Sequence, residues 1–319
     1  MSFWESNRVA VTGGGGFLGQ AVCQKLTERG CNNLIIPRRA EYDLTQEQQV
    51  ENFYDDHQPD VVIHLAAEIG GIGANQKHPG RFFFANMAMG MHLIEYGRRR
   101  GIQKFVQVGT ACSYPKNIPS PFKEDQLWDG YPERTNAPYA IAKRALLTML
   151  DAYKLEYNFP CVAVIPVNLY GPGDNFDLET SHVIPALIRK CFEAIDNKQD
   201  AITCWGTGSA SREFLFVDDA AEGAVCATEM MDDPTPINLG TGREIKVKDL
   251  VELIANLCGF EGQIIWDSTK PDGQPHRCMD VTKARTLLDW QAKVDLEDGL
   301  SQTIDWYRQQ KNLREVRYG

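Results

Sequence analysis

The chain has 319 residues, 43% hydrophobic and 24% charged, with a formal net charge of −10. That length buries a large core in two domains or lobes, and the acidic balance excludes a general nucleic-acid binder, whose footprint would be basic. The nine cysteines form no C-x-x-C pair or zinc spacing, no apolar run approaches membrane-spanning length, and Met1-Ser2-Phe3-Trp4-Glu5 lacks a basic and an apolar leader region, so we expect a cytoplasmic protein with reduced thiols, no metal and no membrane partner.

Arg8-Val9-Ala10-Val11-Thr12 predicts a buried strand. It runs into Gly13-Gly14-Gly15-Gly16-Phe17-Leu18-Gly19 and then a helical pattern through Val22, Leu26 and Gly30. A glycine turn between strand and helix is the context in which such a pattern binds a dinucleotide. Missing Cβ atoms let backbone approach a pyrophosphate, and the helix N-terminus supplies unpaired N–H groups. The glycines fit two registers, Gly14/Gly16/Gly19 and Gly13/Gly16/Gly19.

Asn33 to Ile36 predicts a second strand, followed by Pro37-Arg38-Arg39. An acidic group at that place suits the ribose diol of NAD. Two guanidinium groups suit a 2′-phosphate, which points to NADP(H). Glu41 or Asp43 is the acidic alternative that could still reach the ribose. Val61 to Leu65, Lys104 to Val108 and Cys161 to Ile165 predict further strands, apolar enough for parallel strands covered on both faces. Helices are expected from Phe82 to Arg100 and from Tyr139 to Tyr157. Strands alternating with helices give an α/β fold, a Rossmann-like doubly wound parallel sheet.

After Pro166 the texture changes. The loop Gly171-Pro172-Gly173 leads to a helix from Ser181 to Ala194. Then come a strand from Phe214 to Val217, a turn at Gly240-Thr241-Gly242, a helix from Val247 to Leu257 and a last helix near Leu300 to Gln310. The division expected is a cofactor domain over residues 1–170 and a smaller α/β substrate lobe over 171–319, with about 212–238 returning to the first.

Tyr139-Ala140-Ile141-Ala142-Lys143 has two readings: a surface pair, which the pentapeptide alone favours, and a proton relay, which depends on the rest of the chain. Residues four apart share a helix face, and a neighbouring ammonium favours a phenolate. Tyr139 is therefore expected to have its pKa lowered by Lys143 and to exchange a proton with a sugar hydroxyl or carbonyl.

Thr12 to Gly19, Leu65-Ala66-Ala67, Thr110, and Tyr139 with Lys143 resemble, as a set, the extended short-chain dehydrogenase/reductase family. His64 to Ile72, Cys112-Ser113-Tyr114-Pro115-Lys116, Asn168 to Pro172, Ser181 to Leu187 and Arg212-Glu213-Phe214-Leu215 resemble, more narrowly, its branch that epimerises C3 and C5 of GDP-4-keto-6-deoxy-D-mannose and reduces C4. The resemblance implies that Thr110 donates to the C4 oxygen, Tyr139 protonates it, and Lys143 binds the nicotinamide ribose. It implies an epimerisation pair in Cys112 and His182. It implies nucleotide-sugar contacts from Asn168, Lys190, Trp205, Arg212 and Arg277. Cofactor contacts are implied for Gly13, Gly16, Phe17, Leu18 and Gly19, for Arg38, Arg39, Asp43 and Leu44, for Leu65, Ala66 and Ala67, and for Tyr139, Lys143, Pro166, Asn168, Leu169 and His182. A homodimer pairing the helices from Phe82 and Tyr139 is also implied.

The chemistry fits those residue types. Protons beside a C4 ketone are acidified by it; a thiol near a positive charge can remove one, and a histidine can supply one. Singly, the residues have plainer readings: Cys112 as buried filler, His182 as a helix cap, Trp205 as core. Thr110 stands where a serine is more common, Ala111 replaces a second small polar residue, and Lys190 stands where arginine is expected for a phosphate. A 4,6-dehydratase would carry an acid beside Thr110, where this chain has Ala111-Cys112. A 4-epimerase has no use for the Cys112/His182 pair. A scaffold or redox-sensing member of the fold would have lost Tyr139 or Lys143.

Overall fold

The structure, a computed structural model, describes residues 2–178, 180–270 and 274–318, with backbone alone for Ile72 and residues 313–318. In chain order the first half runs α1 (Phe3–Ser6), β1 (Arg8–Thr12), α2 (Phe17–Glu28), β2 (Asn33–Ile35), α3 (Glu47–His57), β3 (Val61–His64), α4 (Ile72–Lys77), α5 (Pro79–Arg100), β4 (Lys104–Val108), α6 (Ala137–Tyr157) and β5 (Cys161–Pro166). The rest runs β6 (Asn168–Tyr170), α7 (Val183–Asp196), β7 (Ala201–Trp205), β8 (Ser211–Arg212), β9 (Phe214–Phe216), α8 (Val217–Met230), β10 (Ile237–Leu239), β11 (Ile245–Lys246), α9 (Val247–Cys258), β12 (Gln263–Asp267), α10 (Thr282–Leu288) and α11 (Leu296–Tyr318).

A six-stranded parallel sheet in the order β10-β5-β4-β3-β1-β2 forms the centre. Every residue of β3, β4 and β5 is buried, which explains their mostly apolar sequences, broken by the buried His64, Lys104 and Gln107. Successive side chains serve opposite faces. Val9 and Val11 join the core under α2 and α8, whereas Ala10 joins the core under α3, α5 and α6. Leu146 and Leu150 of α6 lie fully buried in that second layer, where truncating either leucine to alanine costs about 2–5 kcal/mol.

Local signals place the ends of the long helices. Pro138 fits the first turn of α6, where its missing N–H has no partner to lose. Left-handed residues close α5 at Gly101 and α6 at Asn158. The backbone at Val217 opens α8 instead of extending the expected strand; β9 ends at Phe216.

A separate core gathers Ile184, Ile188 and Cys191 of α7 with Leu250, Ile254 and Cys258 of α9 and Leu300 and Ile304 of α11. The division expected at residue 170 is crossed twice. α8 packs on the central sheet and β10 joins it, then Met279, Val281, Ala284, Leu288 and Trp290 pack into the same core as α8. The second return falls inside the segment expected for the substrate lobe, and it brings residue 277 back towards the end of β4.

Candidate active site

Chain order reverses between β1 and β3, so a crevice opens beyond their carboxyl ends. Gly13 sits there at φ +74°, and a Cβ on it would lie 2.8 Å from the Ala66 nitrogen. A Cβ on Gly19 would run into the Gly13 carbonyl. The glycine loop is thus pressed against Leu65-Ala66 on one side and α2 on the other. No side chain caps α2 at Gly16, so its first N–H groups remain for an anion. This cradle fits a dinucleotide pyrophosphate. Phe17 and Leu18 begin α2 and pack on the core behind it.

Thr12 Oγ1 meets His64 Nδ1 at 2.8 Å and accepts from the Ala66 N–H at 3.4 Å, which ties β1 to β3 behind the loop. Burial and then the nearby Lys143 hold the His64 pKa well below its usual value, so this imidazole is neutral. Arg38 lies over the glycine loop, its guanidinium where a Cβ of Gly15 would be. Arg39 instead reaches Glu68 beyond β3 at 3.0 Å. Asp43 is spent locally. It accepts from Thr45 N and Oγ1 at 3.1 and 2.8 Å, which lowers its pKa. Glu41 accepts from the Arg38 N–H at 3.3 Å. Leu44 is buried in the α3 layer, while Ala66 packs against that layer from the crevice side.

β4 delivers Thr110 just past its end, and α6 delivers Tyr139 and Lys143, both nearly fully buried. Lys143 Nζ donates to the Val108 carbonyl at 3.1 Å. The expectation that Lys143 lowers the Tyr139 pKa is corrected here. Burial raises the phenol above its usual value, a negative Cys112 would raise it further, and a hydrogen bond from Thr110 pulls it down. Lys143 itself is brought down to about 8 by burial. The ammonium is held on a backbone carbonyl, so desolvation dominates both residues.

Cys112 is half-buried, and its N–H donates to Thr110 Oγ1 at 3.2 Å. Arg277 donates to Cys112 Sγ at 3.8 Å, so the distant segment 274–279 sets a positive charge on that sulfur. Arg144, next to Lys143 in sequence, fixes the loop: Nε donates to the Ser113 carbonyl at 2.5 Å and one NH group to Gly130 at 2.7 Å. Its adjacency to the Tyr-x-x-x-Lys turn was the available signal.

Glu213 is the second residue that sequence reasoning missed. Its buried carboxylate accepts from Thr241 N, Gly242 N and Met279 N at 2.5, 2.7 and 2.6 Å. Its own N–H donates to the Arg277 carbonyl at 3.1 Å, and its carbonyl accepts from Asn168 Nδ2 at 2.9 Å. Burial raises the Glu213 pKa, against the pull of these N–H groups. Arg212 NH1 donates to the Ser211 and Gln274 carbonyls, both at 2.6 Å. The carboxylate therefore joins the Thr241-Gly242 turn to the segment of Arg277, while the Glu213 backbone holds Asn168 and the Arg277 carbonyl. Pro166 pairs in register with Leu239, and Leu169 with Leu215.

His182, Lys190 and Trp205 stand on the other core. His182 begins α7 without capping it; its surface stays open, yet desolvation by the protein around it lowers its pKa. The backbone before it is tied to the β3 loop through Gly71 N to Thr180 O at 3.3 Å. Lys190 donates to the Thr203 carbonyl at 2.9 Å. Trp205 is 64% exposed, so it is not core, and Lys270 Nζ lies 5.5 Å from its ring centre.

The model of the NAD dependent epimerase/dehydratase family matches residues 9–240, and the chain belongs to that family. Within it the chain is 42% identical over 303 residues to GDP-L-fucose synthase 1 of Arabidopsis thaliana, covering 95% of this chain and 94% of that one. A solved GDP-L-fucose synthetase from Naegleria fowleri bound to NADP has 27% identity and a TM-score of 0.90, with 98% of this chain and 96% of that one covered. A GDP-6-OMe-4-keto-L-xylo-heptose reductase from C. jejuni superposes with a TM-score of 0.91 at 28% identity, with 97% and 100% covered.

Proposed function

We propose that this enzyme is an NADP(H)-dependent epimerase-reductase that converts GDP-4-keto-6-deoxy-D-mannose to GDP-L-fucose. The observation that carries the reading is the meeting, at the end of β4, of Thr110, Tyr139 and Lys143 with the Cys112–Arg277 contact. Gly13, Gly16 and Gly19 with the start of α2 hold the pyrophosphate, and Arg38 and Arg39 take the 2′-phosphate. Leu65 to Ala67, Pro166 and Leu169 line the cofactor's path, and Lys143 holds the nicotinamide ribose.

At C3 and then at C5, Cys112 Sγ takes the proton from one face and His182 delivers one to the other, and both groups exchange with solvent between the two steps. Thr110 and Tyr139 hold the enolate oxygen at C4. Bound NADPH supplies the hydride that reduces C4. Tyr139 gives its proton to the resulting alkoxide, and its raised pKa keeps that proton in place until the alkoxide forms. Asn168, Lys190, Trp205, Arg212 and Arg277 hold the GDP-sugar.

The test is to incubate the protein with NADPH and GDP-4-keto-6-deoxy-D-mannose in deuterated water. GDP-L-fucose with deuterium at C3 and C5 is expected, and Cys112→Ala incorporates none. Reduction of C4 with C3 and C5 unexchanged in the wild type would favour a second reading, a reductase of a related 4-keto sugar, like the C. jejuni neighbour.

A homodimer fits the surface. Phe83, Phe84 and Met91 of α5 and Leu155 and Tyr157 of α6 are exposed, apolar surface along two helices that pairing across a two-fold axis would cover. Light scattering at twice the chain mass is expected; a monomer throughout the concentration range overturns the pairing. No helix among the described residues is long and apolar enough to cross a membrane, and the cysteines are free thiols. We place the enzyme in the cytoplasm.

A further inference from the structure

β1 lies between β2 and β3 in the sheet, and the cofactor crevice opens over the end of β1. Arg39 follows β2, and Glu68 follows β3. Their ion pair, 3.0 Å from NH1 to Oε1, therefore spans the mouth of that crevice. Arg38 lies inside it, over the glycine loop.

Glu68 is anchored through its backbone and its carboxylate, whereas the Arg39 side chain is largely exposed. Asn86 grips the Glu68 backbone on both sides, accepting from its N–H at 3.2 Å and donating to its carbonyl at 2.8 Å. Arg81, in the first turns of α5, binds the carboxylate in two places, Nε to Oε2 at 2.6 Å and NH2 to Oε1 at 3.2 Å. The Glu68 side chain is 14% exposed and that of Arg39 68%. The Glu68 pKa lies below the usual carboxylate value, Arg81 being the largest cause and Arg39 a smaller one. If Arg39 swings away, the carboxylate keeps a bidentate guanidinium and is not stranded.

We propose that Glu68 is a specificity-determining counter-ion that parks Arg39 across the crevice and yields it to the cofactor's 2′-phosphate, while Arg81 neutralises the carboxylate left behind. This rests on the NADP(H) reading of Arg38 and Arg39. The phosphate monoester competes with Glu68 for one guanidinium, and a ribose diol does not. Arg81 acts through Glu68: without it, Glu68 holds Arg39 more tightly and the phosphate binds less well. Glu68 and Arg81 are thus positioning residues that set the preference for NADPH over NADH.

The experiment measures dissociation constants of NADPH and NADH for the full chain at one fixed ionic strength, with NADH as the check that each variant folds. Glu68→Gln is expected to tighten NADPH, and Arg81→Leu to weaken it, each by roughly two- to fivefold, the worth of a half-exposed ion pair. Both leave NADH unchanged. In the Glu68→Gln background, Arg81→Leu has no further effect. Equal changes for NADPH and NADH reduce the effect to general charge and overturn the proposal. So does weakening by Arg81→Leu in both backgrounds, which would put Arg81 directly on the phosphate. Arg39→Ala separates the two levels. If it lowers the NADPH-to-NADH preference while Glu68→Gln does not raise it, the hand-off alone fails. If it leaves the preference unchanged, the 2′-phosphate reading of Arg39 fails and takes the proposal with it.

Discussion

The two sides of the cleft are held together by different means. On the cofactor side the groups sit on the ends of β1, β3 and β4 and on one face of α6, and backbone geometry fixes them. Gly13 lies against Ala66, Thr12 against His64, and Lys143 on the Val108 carbonyl. On the proposed substrate side Asn168, Arg212 and Arg277 come from separate segments that meet at Glu213: its backbone holds Asn168 and the Arg277 carbonyl, and its carboxylate holds Met279 and the Thr241-Gly242 turn. A site set by strand ends tolerates change around it and fails at the reacting atoms. A segment held by one buried carboxylate shifts when that carboxylate changes.

The largest expected effect tests the cofactor side at its reacting atom. Tyr139→Phe removes the proposed proton donor and leaves the ring in its buried slot. NADPH oxidation with the 4-keto sugar should fall by about three orders of magnitude, the middle of the range for general acid catalysis. NADPH affinity, measured by fluorescence titration, should hold. Turnover near the wild-type rate would remove Tyr139 from the chemistry.

Glu213→Gln tests the substrate side. An amide can accept at one end only. With its oxygen turned to the Thr241 and Gly242 N–H groups, its NH2 faces the Met279 N–H and repels the segment that carries Arg277. One such buried donor left unmade costs about 1–3 kcal/mol, so KM for the nucleotide sugar should rise roughly tenfold. The NADPH dissociation constant should not move. Parallel losses of both would mean that the two sides are one mechanical unit, and the comparison would break.

The pH profile sharpens the same contrast through Lys143. Burial brings its pKa down to about 8, from 10.5 in an unfolded chain. The ammonium is present below pH 8 and lost above it, so hydride transfer should decline as pH rises through about 8. Its contribution to stability runs the other way. Between about pH 8 and 10.5 the unfolded chain holds more protons, so stability from this group rises with pH. An activity loss without a fall in thermal midpoint, followed by stopped-flow absorbance and calorimetry, is the expected result. A flat rate from pH 7 to 9.5 would release Lys143 from the hydride step.

The cofactor side was legible in the sequence because its groups lie in continuous stretches whose spacing is set by strand, turn and helix. Gly13 to Gly19 and Tyr139 to Lys143 each state a local geometry outright. The direction of the Tyr139 shift was not legible, since helix spacing puts Lys143 on its face but says nothing of the desolvation around both. Arg277 is a different case. The resemblance named it, yet its contact with Cys112 spans 165 residues of separation. That contact depends on the second return of the chain to the central sheet, through Met279 to Trp290, which periodicity does not reveal. Arg39 was read as facing a phosphate, and no pattern signalled that Glu68, itself held by Arg81, would meet it. Trp205 could be core or ligand on sequence grounds, and its exposure decides against core.

Lys190 gives the smallest effect and the finest test of how the substrate side is held. It stands on α7 and donates to the Thr203 carbonyl in β7, two residues before Trp205. That bond pins α7 to β7. An ammonium is a point charge; a guanidinium binds phosphate through a planar pair of donors. Lys190→Arg can keep one donor on Thr203 and turn a second towards the diphosphate. KM for the nucleotide sugar should then fall about two- to fivefold with kcat unchanged, in keeping with a half-exposed charged contact. If KM rises and the thermal midpoint drops, Lys190 serves as a strut between α7 and β7. The substrate side would then depend on its strand–helix contacts as much as on Glu213, and would differ less from the cofactor side than its hydrogen bonds imply.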